Sequence, residues 1–198
     1  MTSMNIGVCG GTFDPFHRGH LDPVLAIRSE MRWDRVIYIP ASRQPFKAGR
    51  PAASGYHRFA MAVLATQSDP AIYISPIELE RGGTSYTVDT LEELHRISPN
   101  ANFDWIIGDD NVPELGNWRN IARVVELARF VVLTRSKTGS PPPAVPADRI
   151  IFARNQTVPI SATEIRSRVR AGESIEAFVD PLVSRYIHHY GLYKEATT

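Results

Sequence analysis

Apolar residues along this chain fall into two alternating patterns: short continuous runs, and longer stretches in which they recur three or four positions apart. Asn5 to Cys9 contains the run Ile-Gly-Val-Cys, of the kind that fills a central parallel strand. Leu21, Val24, Leu25 and Ile27 follow at near-helical spacing, with Pro23 tolerable only in a first helical turn. Repetition of this pair of patterns predicts strands at 5–9, 35–39, 71–75, 103–107, 129–134 and 149–153. Helices are predicted near 19–31, 56–67, 87–97, 119–127, 161–171 and 180–190. Strands that alternate with helices imply an α/β fold, a Rossmann-like doubly wound parallel sheet with helices on both faces and its ligand at the carboxyl ends of the strands. In the second helix Met61 and Leu64 read as core, and Arg58 as structural. Residues 136–148, with Pro141-Pro142-Pro143, read as a surface loop rather than a linker; with no internal repeat, residues 1–198 are expected to form a single domain.

The junction of the first strand and helix carries the chemistry. Gly10-Gly11-Thr12-Phe13-Asp14-Pro15-Phe16-His17-Arg18-Gly19-His20 is a glycine turn ending in two histidines. Such a turn directs backbone N–H groups and the positive end of a helix at whatever sits above the sheet, which suits an anion. Neither G-x-x-x-x-G-K-[ST] nor G-x-G-x-x-G is present, so the turn is not a P-loop or a dinucleotide fingerprint. Its mark is H-x-G-H: Gly19 leaves room for a ligand to approach the backbone, and His17 and His20, three apart, share one helix face. The Asp14-Pro15 pair reads as turn chemistry. Ser161-Ala162-Thr163-Glu164 has the form of a capping box, with Ser161 at the N-cap and Glu164 reaching back. Arg166 adds a guanidinium fork matched to phosphate within the first turns of that helix.

Composition narrows the class. The 198 residues carry a formal net charge of +1 and no long basic run, which argues against a general nucleic-acid or membrane-surface role. Cys9 is the only cysteine, so no internal disulfide forms, and its apolar surroundings suggest an inert thiol. The N-terminus lacks a signal-type apolar region, and Glu126 and Arg129 interrupt the apolar stretch around Val124 to Leu133. A cytoplasmic protein without a membrane span is expected.

The stretch G-G-T-F-D-P-F-H-R-G-H-L resembles the signature of the nucleotidyltransferase α/β-phosphodiesterase superfamily, and the chain as a whole resembles its bacterial nicotinate-nucleotide adenylyltransferase family. Four further segments support this in the family's order: Ser85-Tyr86-Thr87-Val88-Asp89-Thr90-Leu91; Ile106-Ile107-Gly108-Asp109-Asp110 with Trp118; Ile160-Ser161-Ala162-Thr163-Glu164-Ile165-Arg166; and Val183 to Tyr193. The resemblance spans residues 4 to 194. It implies transfer of AMP from ATP to nicotinate mononucleotide, giving the dinucleotide and pyrophosphate in NAD biosynthesis.

The same resemblance implies a division of labour. His17, His20, Lys47 and Arg166 would be catalytic, offsetting charge as two phosphates are brought together. ATP would be bound by Gly10, Gly11, Thr12, Phe13, His17, His20, Gly108, Asp110, Ile160, Ser161, Thr163 and Arg166, with Asp110 on a ribose hydroxyl. Nicotinate mononucleotide would meet Lys47, Tyr86, Thr87, Trp118 and Arg119. Thr87 offers an N–H and a hydroxyl to the carboxylate, and Trp118 a stacking face to the ring. Magnesium is expected through the ATP phosphates rather than in a protein cage. The partners are then ATP and the mononucleotide, and an oligomer of identical chains is compatible with the sequence. Three other readings stay open: a phosphopantetheine or glycerol-phosphate nucleotidyltransferase, an enzyme preferring nicotinamide mononucleotide, and a silent nucleotide-binding sensor of the same fold.

Overall fold

The computed structural model describes residues 3–45, 49, 51–134, 142–154 and 159–194. Six parallel strands form one sheet in the order β3-β2-β1-β4-β5-β6. They are β1 (Asn5–Gly11), β2 (Arg35–Pro40), β3 (Ile72–Ile74), β4 (Asn102–Gly108), β5 (Ala128–Leu133) and β6 (Ile150–Ala153). Each falls within two residues of a predicted strand, because a strand covered on both faces must be apolar almost throughout. The strand order reverses between β1 and β4, and at that switch point the carboxyl ends of neighbouring strands part to leave a crevice.

The helices are α1 (Arg18–Arg28), α2 (Gly55–Thr66), α3 (Ile77–Arg81), α4 (Thr87–Ile97), α5 (Ile121–Leu127), α6 (Ala162–Ala171) and α7 (Pro181–His189). Alternate residues of each strand face opposite layers. In β4, Phe103, Trp105 and Ile107 pack with Leu91 and Leu94 of α4 and Val124 of α5, whereas Ile106 packs with Val24 and Ile27 of α1 and Ala62 of α2. Met61 turns to a third apolar cluster, with Ile165 and Val169 of α6 and Val183 and Ile187 of α7; Leu64 packs against it. This cluster holds the C-terminal helices over the end of the sheet where the crevice opens.

Three local readings are corrected. Pro23 lies in the second turn of α1, not the first, because the helix already begins at Arg18. His17 closes that end as N-cap, its backbone N–H donating to His20 Nδ1 at 3.2 Å. Three short elements were absent from the periodicity: α3, a 3-10 helix over Asp109–Asn117 that contains Pro113, and a 3-10 turn over Ala147–Arg149. The expected surface loop 136–148 is described only from residue 142, where Val145 is buried in the core rather than exposed.

Candidate active site

A cleft of about 820 Å³ opens at the carboxyl ends of the strands, within the size range of small-molecule sites. Gly10, Gly11, Thr12, Phe13, His17, Gly19 and His20 line it from the β1–α1 turn. The segment before α4 contributes Ser85, Tyr86 and Thr87, the end of β4 contributes Gly108 and Asp110, and Trp118 and Arg119 follow. Ile160, Ser161, Thr163 and Arg166 close it from the start of α6. The structure therefore brings every predicted site residue to one cavity except Lys47, which lies outside the described residues.

The glycine turn is set by packing. Phe13, 3 % exposed, adopts a positive φ of 53°, held by ring contacts to Phe16, His20 and Tyr38. The imidazoles of His17 and His20 stack with centroids 3.7 Å apart. Because His20 Nδ1 accepts a hydrogen bond, that nitrogen is unprotonated and the ring is the neutral tautomer carrying its proton on Nε2. Gly19 lines the cleft, and a Cβ there would meet the His17 ring at 3.0 Å and Ile160 at 3.1 Å. Glycine at that point lets the two signature segments touch.

Ser161 caps α6 as predicted, its Oγ accepting the N–H of Glu164 at 3.1 Å. Glu164 does not complete the reciprocal box. Its carboxylate instead accepts from Arg168 Nε at 3.2 Å and Nη2 at 3.1 Å, an i,i+4 pair that draws it along the helix. The Arg166 fork divides, one arm donating to the Asp14 carbonyl at 2.7 Å and the other to Thr163 Oγ1 at 3.2 Å. Arg119 lies over the Tyr86 ring, 4.7 Å from its centroid, and pairs with Asp89 at 3.4 Å. It thus stiffens the start of α4 from the rim. Trp118 is anchored edge-on against Phe130 with centroids 5.8 Å apart. A Cβ at Gly108 would collide with Asp110 Oδ1, so glycine there is what lets Asp110 fold back toward the strand end.

The cytidylyltransferase-like family model matches residues 8–168. A probable nicotinate-nucleotide adenylyltransferase of Gemmatimonas aurantiaca is 39 % identical over 198 residues, covering 97 % of this chain and 93 % of the relative. A protein of the same description from a Roseiflexus species is 40 % identical over 200 residues, covering 98 % of this chain and all of the relative (100 %). The chain belongs to the nicotinate-nucleotide adenylyltransferases. Among solved structures, the nicotinic acid mononucleotide adenylyltransferase of Plasmodium falciparum in complex with NaAD has the same fold at a TM-score of 0.77, with 20 % identity over 96 % of this chain and 97 % of that one.

Membership of this family leaves three residues whose importance the sequence did not reveal. Asp14, read as turn chemistry, is 4 % exposed and accepts from the N–H groups of Ala52 at 2.6 Å and Ala53 at 3.1 Å, and from the Tyr193 hydroxyl at 2.8 Å. It ties the glycine turn to the loop before α2 and to the C-terminal tail. Arg58, 1 % exposed, donates to the carbonyls of Thr12 at 2.5 Å and Ala41 at 2.6 Å, joining the turns that follow β1 and β2. Burial lowers its pKa, and nearby Asp14 opposes that shift. Glu78 is a buried carboxylate in the cleft wall. An arginine in the apolar face of α2 and an acid in a short apolar segment were the available signals. Cys9 borders the cleft, but burial pushes its thiol up to about 12, which excludes a thiolate nucleophile near neutrality. Among the described residues no helix is long and apolar enough to cross a membrane.

Proposed function

We propose that this protein transfers AMP from ATP to the 5′-phosphate of nicotinate mononucleotide, releasing pyrophosphate, and that the cleft at the β1–β4 switch point is where it does so. The observation that carries this reading is the meeting of His17, His20 and Arg166 with Thr87 and Trp118 in one cavity, in a chain whose relatives are nicotinate-nucleotide adenylyltransferases. The attacking oxygen is already ionised on the mononucleotide, so the protein supplies no nucleophile. Its task is to align two anions and to stabilise charge on the α-phosphoryl group as the bond to pyrophosphate breaks.

In this reading the backbone N–H groups of the glycine turn, the Nε2–H of His20, His17 and Arg166 face the ATP phosphates. Thr12 Oγ1 is buried without a hydrogen-bond partner among the described residues, which suits a further donor to phosphate oxygen. Asp110 takes a ribose hydroxyl, Trp118 stacks on the pyridine ring, and Thr87, the first residue of α4, offers its N–H and hydroxyl to the carboxylate. Lys47 completes the cationic set.

Magnesium fits as an ion held by triphosphate oxygens and water. Asp14, the acid within the glycine motif, has its two carboxylate oxygens engaged by Ala52, Ala53 and Tyr193. Among the described residues no group of three or more His, Cys, Asp or Glu side chains is placed to hold a metal. When bound, the ion neutralises phosphate charge. The test is to incubate the protein with ATP, magnesium and either nicotinate or nicotinamide mononucleotide and to measure pyrophosphate. Release with the acid supports the reading; no release with either, or release with the amide alone, overturns it.

A further inference from the structure

Glu78 has no part in the chemistry above, yet it is 3 % exposed and lines the cleft. It belongs to α3, and its carboxylate accepts from Thr90 Oγ1 at 2.6 Å, with the Ser85 hydroxyl beside it and Arg81 at 4.0 Å. Each hydroxyl has another partner. Ser85 Oγ accepts the N–H of Ser42 at 3.0 Å, and Thr90 Oγ1 accepts from Arg81 Nη2 at 2.8 Å. The Thr90 hydroxyl carries one proton and lies 2.6 Å from Glu78 against 3.3 Å from the Tyr86 carbonyl, so the shorter contact takes it. Burial raises the pKa of this carboxylate, and the neighbouring hydroxyls, Arg81 and Arg58 oppose that shift.

The segments gathered in this way surround Thr87. The Ser85 N–H donates to the Arg43 carbonyl at 2.9 Å, and the Arg43 guanidinium donates to Thr84 Oγ1 at 3.3 Å. The strand-end loop after β2, the turn before α4 and the first turn of α4 are therefore fastened together, with Glu78 at the junction. Thr87 lies between the two residues that Glu78 holds.

We propose that Glu78 is a positioning residue for substrate choice: its carboxylate fixes Thr90 and the turn at Ser85 so that the N–H and hydroxyl of Thr87 converge on the carboxylate of nicotinate and mispair with an amide. This rests on the reading of the cleft as a nicotinate mononucleotide site. Glu78 itself touches no substrate, and acts by removing the freedom of the donors to reorient.

The test is Glu78→Gln, which keeps shape and volume but turns one acceptor toward a hydroxyl as a donor. Steady-state kinetics are measured with the acid and the amide mononucleotides at saturating ATP, and with ATP varied, beside thermal unfolding. The expected result is a rise of about tenfold in KM for nicotinate mononucleotide, an unchanged KM for ATP, and a fall of at least about fivefold in the ratio of kcat/KM for acid over amide, the scale of one mispaired buried hydrogen bond. Ser85→Ala, on a partly exposed turn, removes the hydroxyl that joins the Ser42 N–H to the Glu78 side of the junction and is expected to lower that ratio without loss of fold; combined with Glu78→Gln it adds little further. A wild-type ratio in either folded variant, or equal rises in both KM values, overturns the positioning role. Should Glu78→Gln fail to fold, the ratio for Ser85→Ala decides by the same criterion. Wild-type protein that releases no pyrophosphate with the acid overturns the functional reading itself, a separate failure seen before any variant is made.

Discussion

His20 accepts the backbone N–H of His17 through Nδ1, and this one bond selects the tautomer that composition leaves open. A neutral ring with its proton on Nε2 donates to phosphate without needing to be charged beside a stacked second imidazole. His20→Ala is expected to lower kcat by about 100-fold or more, the usual effect of removing one preorganised donor, while circular dichroism shows an intact fold. Near-normal turnover in the folded variant excludes the role. Arg166 divides its fork between Asp14 and Thr163, so the plane of the guanidinium is set before any phosphate arrives. An ammonium reaches only one of those partners and cannot present two parallel donors. Arg166→Lys is therefore expected to raise the KM for ATP and lower kcat despite conserving charge; wild-type values of both would make Arg166 a bystander.

At the scale of elements, Arg58 makes α2 a bracket for the site. Its guanidinium fastens the turns after β1 and β2 to one helix from the buried side. Arg58→Met leaves two buried carbonyls without a donor at about 1–3 kcal/mol each, and removes a charge that faces Asp14, so a loss of about 3–5 kcal/mol in unfolding free energy is expected by denaturant titration. A loss under about 1 kcal/mol would indicate that both carbonyls find other donors. The six strands were legible in the sequence because burial on both faces favours nearly continuous apolar runs, broken at Asp104 in β4 and Arg129 in β5, and α4 was legible because Val88, Leu91 and Leu94 recur at helical spacing. The segment Ile77–Arg81 was not: it makes barely more than one turn, too short for a 3.6-residue period to declare itself. The 3-10 helix over Asp109–Asn117 follows a different period and contains a proline. Ligand-facing residues were legible because glycine turns and helix starts leave local marks. Asp14, Arg58 and Glu78 were not, because what they do depends on partners 12 to 179 positions away.

Across the whole molecule, substrate choice belongs to the cleft rather than to any single side chain. Acid and amide mononucleotides share ribose, phosphate and ring, so only the donors around Thr87 tell them apart. An amide sets donor against donor there and loses charge assistance, and the expected preference for the acid is at least about tenfold in kcat/KM, measured under identical conditions. Parity would overturn the Thr87 assignment. The Asp14 contacts have a further consequence, for the order in which the protein is made. Residues of the glycine turn leave the ribosome well before their partners, for Asp14 is held by Tyr193, 179 positions on, and its carbonyl by Arg166, 152 positions on. Closing such distant pairs is the slow part of forming a fold of this kind. A nascent chain can thus lay down its early strands while the cleft stays unbuilt, and the cleft is completed only once Arg166 and Tyr193 have been added.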